Sequence, residues 1–323
     1  MRKTVTRVTQ LLERRLLDSR DVRHAYIDIV DACNLRCFGC PRGTEAIKST
    51  TDVMPLDLYK KICAKLKSEG NRWVALFNWA EPFLHSQIPE FVEATVAKRM
   101  KCVISSNLSL PKISTLSACF EAGLNQLIVS VSGFSNDIQT IYHKNSNINL
   151  IKENLETIAK TPEYAKKTVI SFLRFDFNQD SIEPFRRYAA NLGMYFANVK
   201  ASNCPESERE EKKYYMSIPP KKAPLLNPDD NKWYFSINPQ KTGNADHKMC
   251  GYAEALTMDC HGKLYLCCDR LLSDEFCIGN YMDLSKGEIL LRKYLHPECR
   301  NCSSHALKKL GKWQKWQMRK SLF

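Results

Sequence analysis

Strands and helices alternate along residues 25–200, and this alternation limits the folds that the chain can adopt. Runs rich in β-branched and aromatic residues predict the strands Ala25–Val30, Trp73–Phe77, Cys102–Ser105, Gln126–Val131, Val169–Phe175 and Tyr195–Val199. Apolar residues at helical spacing predict the helices Leu56–Ser68, Ile88–Lys98, Lys112–Ala122, Ile148–Lys160 and Ile182–Leu192. This order is typical of βαβ units around a parallel sheet. We therefore expect an α/β fold, a partial (β/α)6 barrel with its site at the carboxyl ends of the strands.

The composition is that of a folded protein that works in a reducing compartment. Of the 323 residues, 44% are hydrophobic and 26% are charged, a balance that excludes a disordered or fibrous chain. No apolar run approaches the roughly 20 residues of a membrane helix, and the first residues lack the apolar core of a signal peptide. We expect a cytoplasmic protein with no membrane partner. Because disulfides are rare there, the 14 cysteines point to metal binding.

Charge and composition divide the chain into five segments. The net charge of +13 is concentrated in a basic extension (residues 1–24) and a basic tail (306–323), whereas the body is close to neutral. These ends are either solvated or in contact with an anionic partner, and a nucleic-acid partner is not favoured by the near-neutral body. Between them lie the barrel (25–200), a proline-rich linker or active-site cover (201–248) and a cysteine-rich segment (249–305).

Three cysteines follow the first predicted strand at the spacing C-x3-C-x2-C: Cys33, Cys37 and Cys40. Thiolates are the usual ligands of a [4Fe–4S] cluster, and a complete set is four. Three therefore leave one iron open for a substrate or cofactor. A structural zinc site would need a fourth ligand, and no further cysteine lies within twenty residues of the triad.

This motif resembles that of the radical S-adenosylmethionine (SAM) superfamily, and the resemblance extends over residues 25–200. It implies that the open iron binds SAM, and that the reduced cluster cleaves SAM to a 5′-deoxyadenosyl radical. It also implies an electron donor such as flavodoxin or ferredoxin. The family usually has an aromatic residue directly before the third cysteine. Here Phe38 stands one position earlier and is the candidate adenine contact.

Further family motifs end the next strands. The segment Asn78-Trp79-Ala80-Glu81-Pro82 resembles the Gly-Glu-Pro element, which implies that Glu81 binds the SAM ammonium. The resemblance places Ser105 and Asn107 at the SAM ribose or carboxylate, with Ser130 and Ser132 at a similar depth. Each of these residues could instead cap a helix or close a turn. Arg174, between apolar neighbours on the fifth strand, is expected to bind the SAM carboxylate, a substrate hydroxyl or a barrel acid.

The C-terminal cysteines carry a second resemblance. A hairpin is predicted at His261–Gly262, between Leu256–Asp259 and Leu264–Cys267, and a C-x2-C pair follows. The pattern resembles the twitch domain, a shortened SPASM domain. It implies a small hairpin-plus-helix domain with a second [4Fe–4S] cluster, and four thiolates on zinc are the physical alternative. The implied ligands are Cys250, Cys267, Cys299 and Cys302.

The remaining cysteines divide into core residues and a candidate reactive thiol. Cys63, Cys102 and Cys119 are expected in the core. Cys260 and Cys268 are left over near the hairpin. Alternation along a strand turns Cys268 away from its neighbour Cys267. It is therefore either a spare thiol or a hydrogen-atom donor to the substrate, although the two neighbours could exchange roles.

The expected reaction follows from the twitch resemblance. Twitch-type enzymes include 2-deoxy-scyllo-inosamine dehydrogenase and neomycin C epimerase, and residues 132–136 with 142–144 resemble that branch. This implies hydrogen abstraction from a hydroxyl-bearing carbon of a sugar or aminocyclitol, followed by epimerisation or oxidation. Modification of a ribosomally made peptide is the alternative, and modification of RNA is less favoured.

Overall fold

The computed structural model describes residues 24–38, 40–43, 48–111, 113–200, 255–268, 270 and 272–301. Within these residues, nine strands form one sheet in the order β6-β5-β4-β3-β2-β1-β7-β8-β9. The strands are β1 His24–Ile27, β2 Trp73–Ala75, β3 Lys101–Ser106, β4 Gln126–Val131, β5 Thr168–Arg174, β6 Tyr195–Lys200, β7 Leu256–Met258, β8 Lys263–Tyr265 and β9 Cys277–Asn280. Strands β1 to β6 pair in parallel with their chain neighbours, which confirms the α/β fold and the partial barrel.

Within the described residues, seven α-helices connect the parallel strands, five of them where the apolar spacing predicts, and two more follow β9. They are α1 Leu56–Ser68, α2 Ile88–Ala97, α3 Leu116–Glu121, α4 Asn136–Tyr142, α5 Ile148–Ala159, α6 Pro162–Ala165, α7 Ile182–Asn191, α8 Lys286–Leu295 and α9 Pro297–Asn301. The predicted start of α3 at Lys112 is wrong, because the helix begins at Leu116, after Ser114 and Thr115. Such hydroxyl residues favour turns over helix interiors. In the described part of the chain, none of the helices is long and apolar enough to cross a membrane.

The two faces of the sheet pack differently. Ile104, Val129 and Ile170 belong to the large core between the sheet and the helices. The expected core cysteines Cys63, Cys102 and Cys119 are confirmed there, each without exposed surface. The alternate residues Trp73, Ala75, Val103 and Ile128 form a separate inner cluster, with Tyr26 and Phe77 packed against it. This inner face, which points away from the helices, therefore lines the inside of the barrel.

The predicted C-terminal hairpin is confirmed, and it continues the barrel sheet. Strand β7 pairs in parallel with β1, joining Ala25 to Leu256. Strands β7 and β8 are antiparallel, and the turn between them uses Gly262 at a φ of 75°, a conformation that favours glycine. Strand β9, which the sequence pattern did not indicate, pairs antiparallel with β8. The cysteine-rich segment thus extends the edge of the sheet on which the first cysteine motif begins.

Candidate active site

The segment after β1, residues 31–43, is here called the cysteine loop. It carries Cys33, Cys37 and Cys40, all half-buried and none in a disulfide. An isolated antiparallel β-bridge between Val30 and Val53 joins the chain before the cysteine loop to the chain after it. Glu81 N donates to the Ala32 carbonyl at 3.0 Å. Cys40 N donates to the Cys37 carbonyl at 3.2 Å, which folds the loop into a tight turn. The three thiols are therefore brought to the carboxyl end of the first strand.

The donor set of the loop suits a cluster better than a single ion. Burial raises the pKa of the Cys33 thiol to about 12 and that of Cys37 well above its ordinary value, and the neighbouring thiols add to both shifts, so thiolates at these positions need a cationic partner such as bound iron. Among the described side chains, no three His, Cys, Asp or Glu residues converge on a point that one metal ion could fill. A cubane presents its irons at separate corners, so its thiolate ligands do not converge on one point. The three thiols that lie together in the described part of the cysteine loop fit an open-site [4Fe–4S] cluster.

Glu81 is placed beside the cysteine loop but is already occupied. Its carboxylate accepts from Phe83 N at 3.1 Å, from Ser106 Oγ at 2.8 Å and from Asn107 N at 2.8 Å. It therefore caps the short helix Pro82–Leu84. Only 2% of the Glu81 surface is exposed, and this burial raises the pKa of its carboxyl group to about 7. The turn-and-cap alternative is present in the structure, and contact of Glu81 with the SAM ammonium stays a prediction.

Asn107 links the end of β3 to the cysteine loop. Its Nδ2 donates to Asn34 Oδ1 at 2.9 Å and lies 3.9 Å from Cys33 Sγ. Its Oδ1 accepts from Ser109 N at 2.8 Å. The structure thus brings Asn107, Glu81 and the first cysteine together, as the motif positions indicate.

Asp28 is a site residue that sequence reasoning missed. Its buried carboxylate accepts from three consecutive backbone N–H groups, at 2.8 Å from Asn78, 3.0 Å from Trp79 and 3.2 Å from Ala80. Burial raises its pKa to about 6. The carboxylate shapes the segment that leads into Glu81. A single acid inside the otherwise apolar run predicted as the strand Ala25–Val30 is the signal that could have identified it.

Ser132 supports the site from behind. It is fully buried, and its Oγ forms a 2.7 Å hydrogen bond with His143 Nδ1. On either side of His143, the Tyr142 and Lys144 carbonyls accept from Phe38 N at 2.7 Å and Arg36 N at 3.1 Å. The Ser132–His143 bond therefore holds the segment on which the cysteine loop rests. The turn alternative fits Ser132 better than SAM contact.

The buried His143 makes the stability of the protein sensitive to acid. Burial lowers the pKa of its imidazole from 6.5 to about 3, so the folded chain keeps it neutral. As the pH falls below 6.5, the unfolded chain gains a proton that the folded chain does not, and stability is lost toward pH 3. At pH 5 this loss is about 2 kcal/mol relative to neutral pH. We expect denaturant unfolding of His143→Asn, which keeps an acceptor for Ser132, to show a smaller loss between pH 7.5 and 5. Equal losses would contradict this account.

The remaining barrel residues fall on two faces. Alternation from Val103 and Ile128 places Ser105 and Ser130 on the inner face, and Ser130 is paired with Ser171 of β5. Arg174 shares the parity of Ile170 and Phe172, which pack toward the helices, and it is only half-buried. By this alternation Arg174 lies on the opposite side of β5 from the inner residues, and its expected contact with the SAM carboxylate, a substrate hydroxyl or a barrel acid stays a prediction. Phe38 is half-buried in the cysteine loop.

The C-terminal cysteines are described in part. Cys267, Cys268 and Cys299 are half-buried, whereas Cys250 and Cys302 lie outside the described residues. Arg270, three residues after Cys267, forms an ion pair with Glu298 at 3.1 Å, and Glu298 adjoins Cys299. The Arg270 carbonyl also accepts from Trp79 Nε1 at 3.3 Å. The turn that contains Cys267 and Cys268 is therefore tied both to the helix of Cys299 and to the segment before Glu81.

Solved structures with this architecture include several that bind SAM. anSMEcpe with bound AdoMet aligns over 87% of this chain and 86% of its own, with a TM-score of 0.61 and 13% identity. Streptococcus suis SuiB bound to S-adenosylmethionine aligns over 88% of this chain and 71% of its own, with a TM-score of 0.57 and 13% identity. BtrN in complex with AdoMet and 2-DOIA aligns over 88% of this chain and 91% of its own, with a TM-score of 0.50 and 15% identity. At these identities the likeness is one of fold.

Sequence comparison gives the family. The chain is 29% identical over 171 residues to GTP 3′,8-cyclase of Chlorobaculum tepidum, which is 51% of this chain and 49% of the relative. It is 29% identical over 189 residues to GTP 3′,8-cyclase of Aquifex aeolicus, which is 55% of this chain and 57% of the relative. The chain thus spans about half the length of these curated relatives. The model of the Radical SAM superfamily matches residues 27–189, which include the cysteine loop and the strand ends around it. This protein belongs to the radical SAM superfamily.

Proposed function

We propose that this radical SAM enzyme removes hydrogen from a hydroxyl-bearing carbon of a sugar, aminocyclitol or similar small molecule, and that the product is epimerised or oxidised. The lining of the barrel carries this proposal. Its inner face presents the hydroxyl groups of Ser105, Ser130 and Ser171, with aromatic rings from Tyr26 and Phe77. Hydroxyl and aromatic groups suit a hydroxylated ligand that carries no phosphate groups.

The residues of the cysteine loop have defined tasks in this proposal. Cys33, Cys37 and Cys40 would hold a [4Fe–4S] cluster, with Glu81, Asn107 and Phe38 around SAM. When bound, the cluster and SAM together supply a 5′-deoxyadenosyl radical. Asp28 fixes the backbone of residues 78–80, and Asn107 orients the loop through Asn34. Electrons would come from a partner such as flavodoxin or ferredoxin.

A second [4Fe–4S] cluster on Cys250, Cys267, Cys299 and Cys302 is part of the proposal. It is supported by the Arg270–Glu298 ion pair, which holds the segments of Cys267 and Cys299 side by side. The Trp79–Arg270 hydrogen bond places this region at the carboxyl end of the barrel. Cys268, which lies in the same turn and is not among the proposed ligands, would be the thiol that returns a hydrogen atom to the substrate in an epimerase.

A purine nucleotide is the second candidate substrate, because the curated relatives of the barrel half are named GTP 3′,8-cyclase. Lysine and arginine are the usual partners of a triphosphate. In the described part of the barrel, the inner positions toward the carboxyl ends of β2 to β5 hold neither residue. This lining favours a sugar or aminocyclitol over a triphosphate.

Turnover in deuterated water separates these reactions. The reconstituted protein would be incubated with SAM, a reductant and either a panel of sugars and aminocyclitols or GTP. We expect 5′-deoxyadenosine to form with a sugar or aminocyclitol present, together with a product that contains solvent deuterium at one carbon or has lost two hydrogens. A cyclised nucleotide from GTP, with no change in any sugar, would reject the proposal. In Cys268→Ala, an epimerase should still consume SAM but lose deuterium incorporation, whereas a dehydrogenase should be unaffected.

A further inference from the structure

Arg42, two residues after the third cysteine, is a buried cation that the reaction described above does not use. Only 2% of the residue is exposed. Its guanidinium pairs with the Asp31 carboxylate, and Nη1 donates to the Asp31 carbonyl at 3.0 Å and the Lys48 carbonyl at 3.4 Å. The Arg42 Nε has no partner among the described residues. Burial of a charged side chain costs desolvation free energy unless ion pairs and hydrogen bonds offset it.

The contacts of Arg42 close the cysteine loop at its base. Asp31 precedes the three cysteines and Arg42 follows them, so their ion pair joins the two ends of the motif. Asp31 is itself fixed, because its Oδ2 accepts from Thr50 Oγ1 at 3.0 Å and its N donates to the Asp52 carbonyl at 2.9 Å. The next residue, Gly43, lies so close to Cys37 that a Cβ on it would be 2.0 Å from the Cys37 carbonyl oxygen. The residue that follows Arg42 is therefore packed against the cysteine-bearing turn, and the Arg42 charge is close enough to Cys33 to lower the pKa of that thiol against the larger effect of burial.

We propose that Arg42 and Asp31 are positioning residues for the iron–sulfur group on Cys33, Cys37 and Cys40, and that their opposite charges set its reduction potential. A buried positive charge beside a thiolate-bound cluster favours the electron-rich, reduced form. A negative charge at the same place, here that of the half-buried Asp31, does the reverse. The pair is neutral as a whole, so removing either member alone exposes the cluster to the charge of the other. This inference rests on the cysteine triad as cluster ligands and is independent of the substrate.

Reduction potentials of charge variants test this inference. A redox titration of the reconstituted full-length chain at pH 8 would measure the midpoint potential. Electron paramagnetic resonance would follow the cluster signal that changes when SAM is added, which is the signal of the cluster on the triad. Compared with the parent, we expect Arg42→Gln to shift the midpoint to a more negative potential and Asp31→Asn to a more positive one. The double variant should return toward the parent value. Lys48→Gln is the matched control, since it removes an exposed charge from the same region and should leave the midpoint unchanged.

Iron content separates positioning from a general loss of folding. Arg42→Lys keeps the charge but loses the planar fork, so we expect the midpoint to stay close to that of the parent while less iron is retained on the triad. If Arg42→Gln cannot retain the cluster, Asp31→Asn still decides the question, because an asparagine can accept the same hydrogen bond. Full iron content in Asp31→Asn with no shift in midpoint, or single variants that shift in the same direction, would overturn the proposal. A parent protein without a SAM-responsive signal would overturn the triad assignment itself.

Discussion

Replacing Cys33, Cys37 and Cys40 together by alanine is expected to abolish SAM cleavage while the barrel remains folded. The parent should contain about eight irons per chain in two clusters, and the variant about four. The fold should survive because the three thiols are half-buried in a loop and lie outside the large core. Iron and sulfide assays, with chromatographic detection of 5′-deoxyadenosine, measure both effects.

Cys119→Ala is the matched control for this loss. It removes a fully buried core thiol, so it should lower the free energy of unfolding but leave iron content and SAM cleavage unchanged. A triple variant that kept all of its iron would reject the triad. Zinc in the parent beside only four irons would reject the second cluster instead.

Gly43→Ala is expected to remove the cluster of the cysteine loop without touching any cysteine. An added Cβ would lie 2.0 Å from the carbonyl oxygen and 2.7 Å from the nitrogen of Cys37, both backbone atoms that cannot rotate away. The tight turn that carries Cys37 must therefore open, and the three thiols lose their common geometry. We expect the loss of roughly four irons, and SAM cleavage at or below the detection limit.

The control for strain in general is Gly70→Ala. Gly70 has a φ of 83° after helix α1, so alanine is disfavoured there too, but it lies away from the cysteine loop. This variant should lose about 1 kcal/mol of stability and keep its iron. Full SAM cleavage in Gly43→Ala would mean that the loop tolerates a rearrangement at Cys37.

The barrel could be predicted because its signals are local. Helix α1 begins and ends at the predicted residues, since its apolar positions recur at helical spacing over 13 residues. Helices α4 and α6 were missed, because seven and four residues are too few to establish a period. The pairing of β7 with β1 could not be predicted, because a contact between distant segments leaves no periodic trace in either.

The site was predictable where a motif names its ligands and less so where neighbours compete for a side chain. Spacing identified the cysteine triad, and the family resemblance led to Asn107, whose Nδ2 lies 3.9 Å from Cys33 Sγ. It could not show that Ser132 bonds to His143, or that three donors already occupy the Glu81 carboxylate. Asp28 was overlooked because its role is to bind backbone N–H groups of a distant segment, which any sequence can supply.

The pairing of β7 with β1 also has a consequence for the order of folding. Strand β1 is made early, yet one of its two neighbours in the sheet begins only at Leu256. Until the ribosome has produced that strand, β1 presents an open row of hydrogen-bonding groups. Contacts between such distant segments slow folding, since the loop entropy is lost before the contact stabilises the chain. The cysteine loop follows β1 directly, so its anchorage is completed only after Leu256–Met258 has been made.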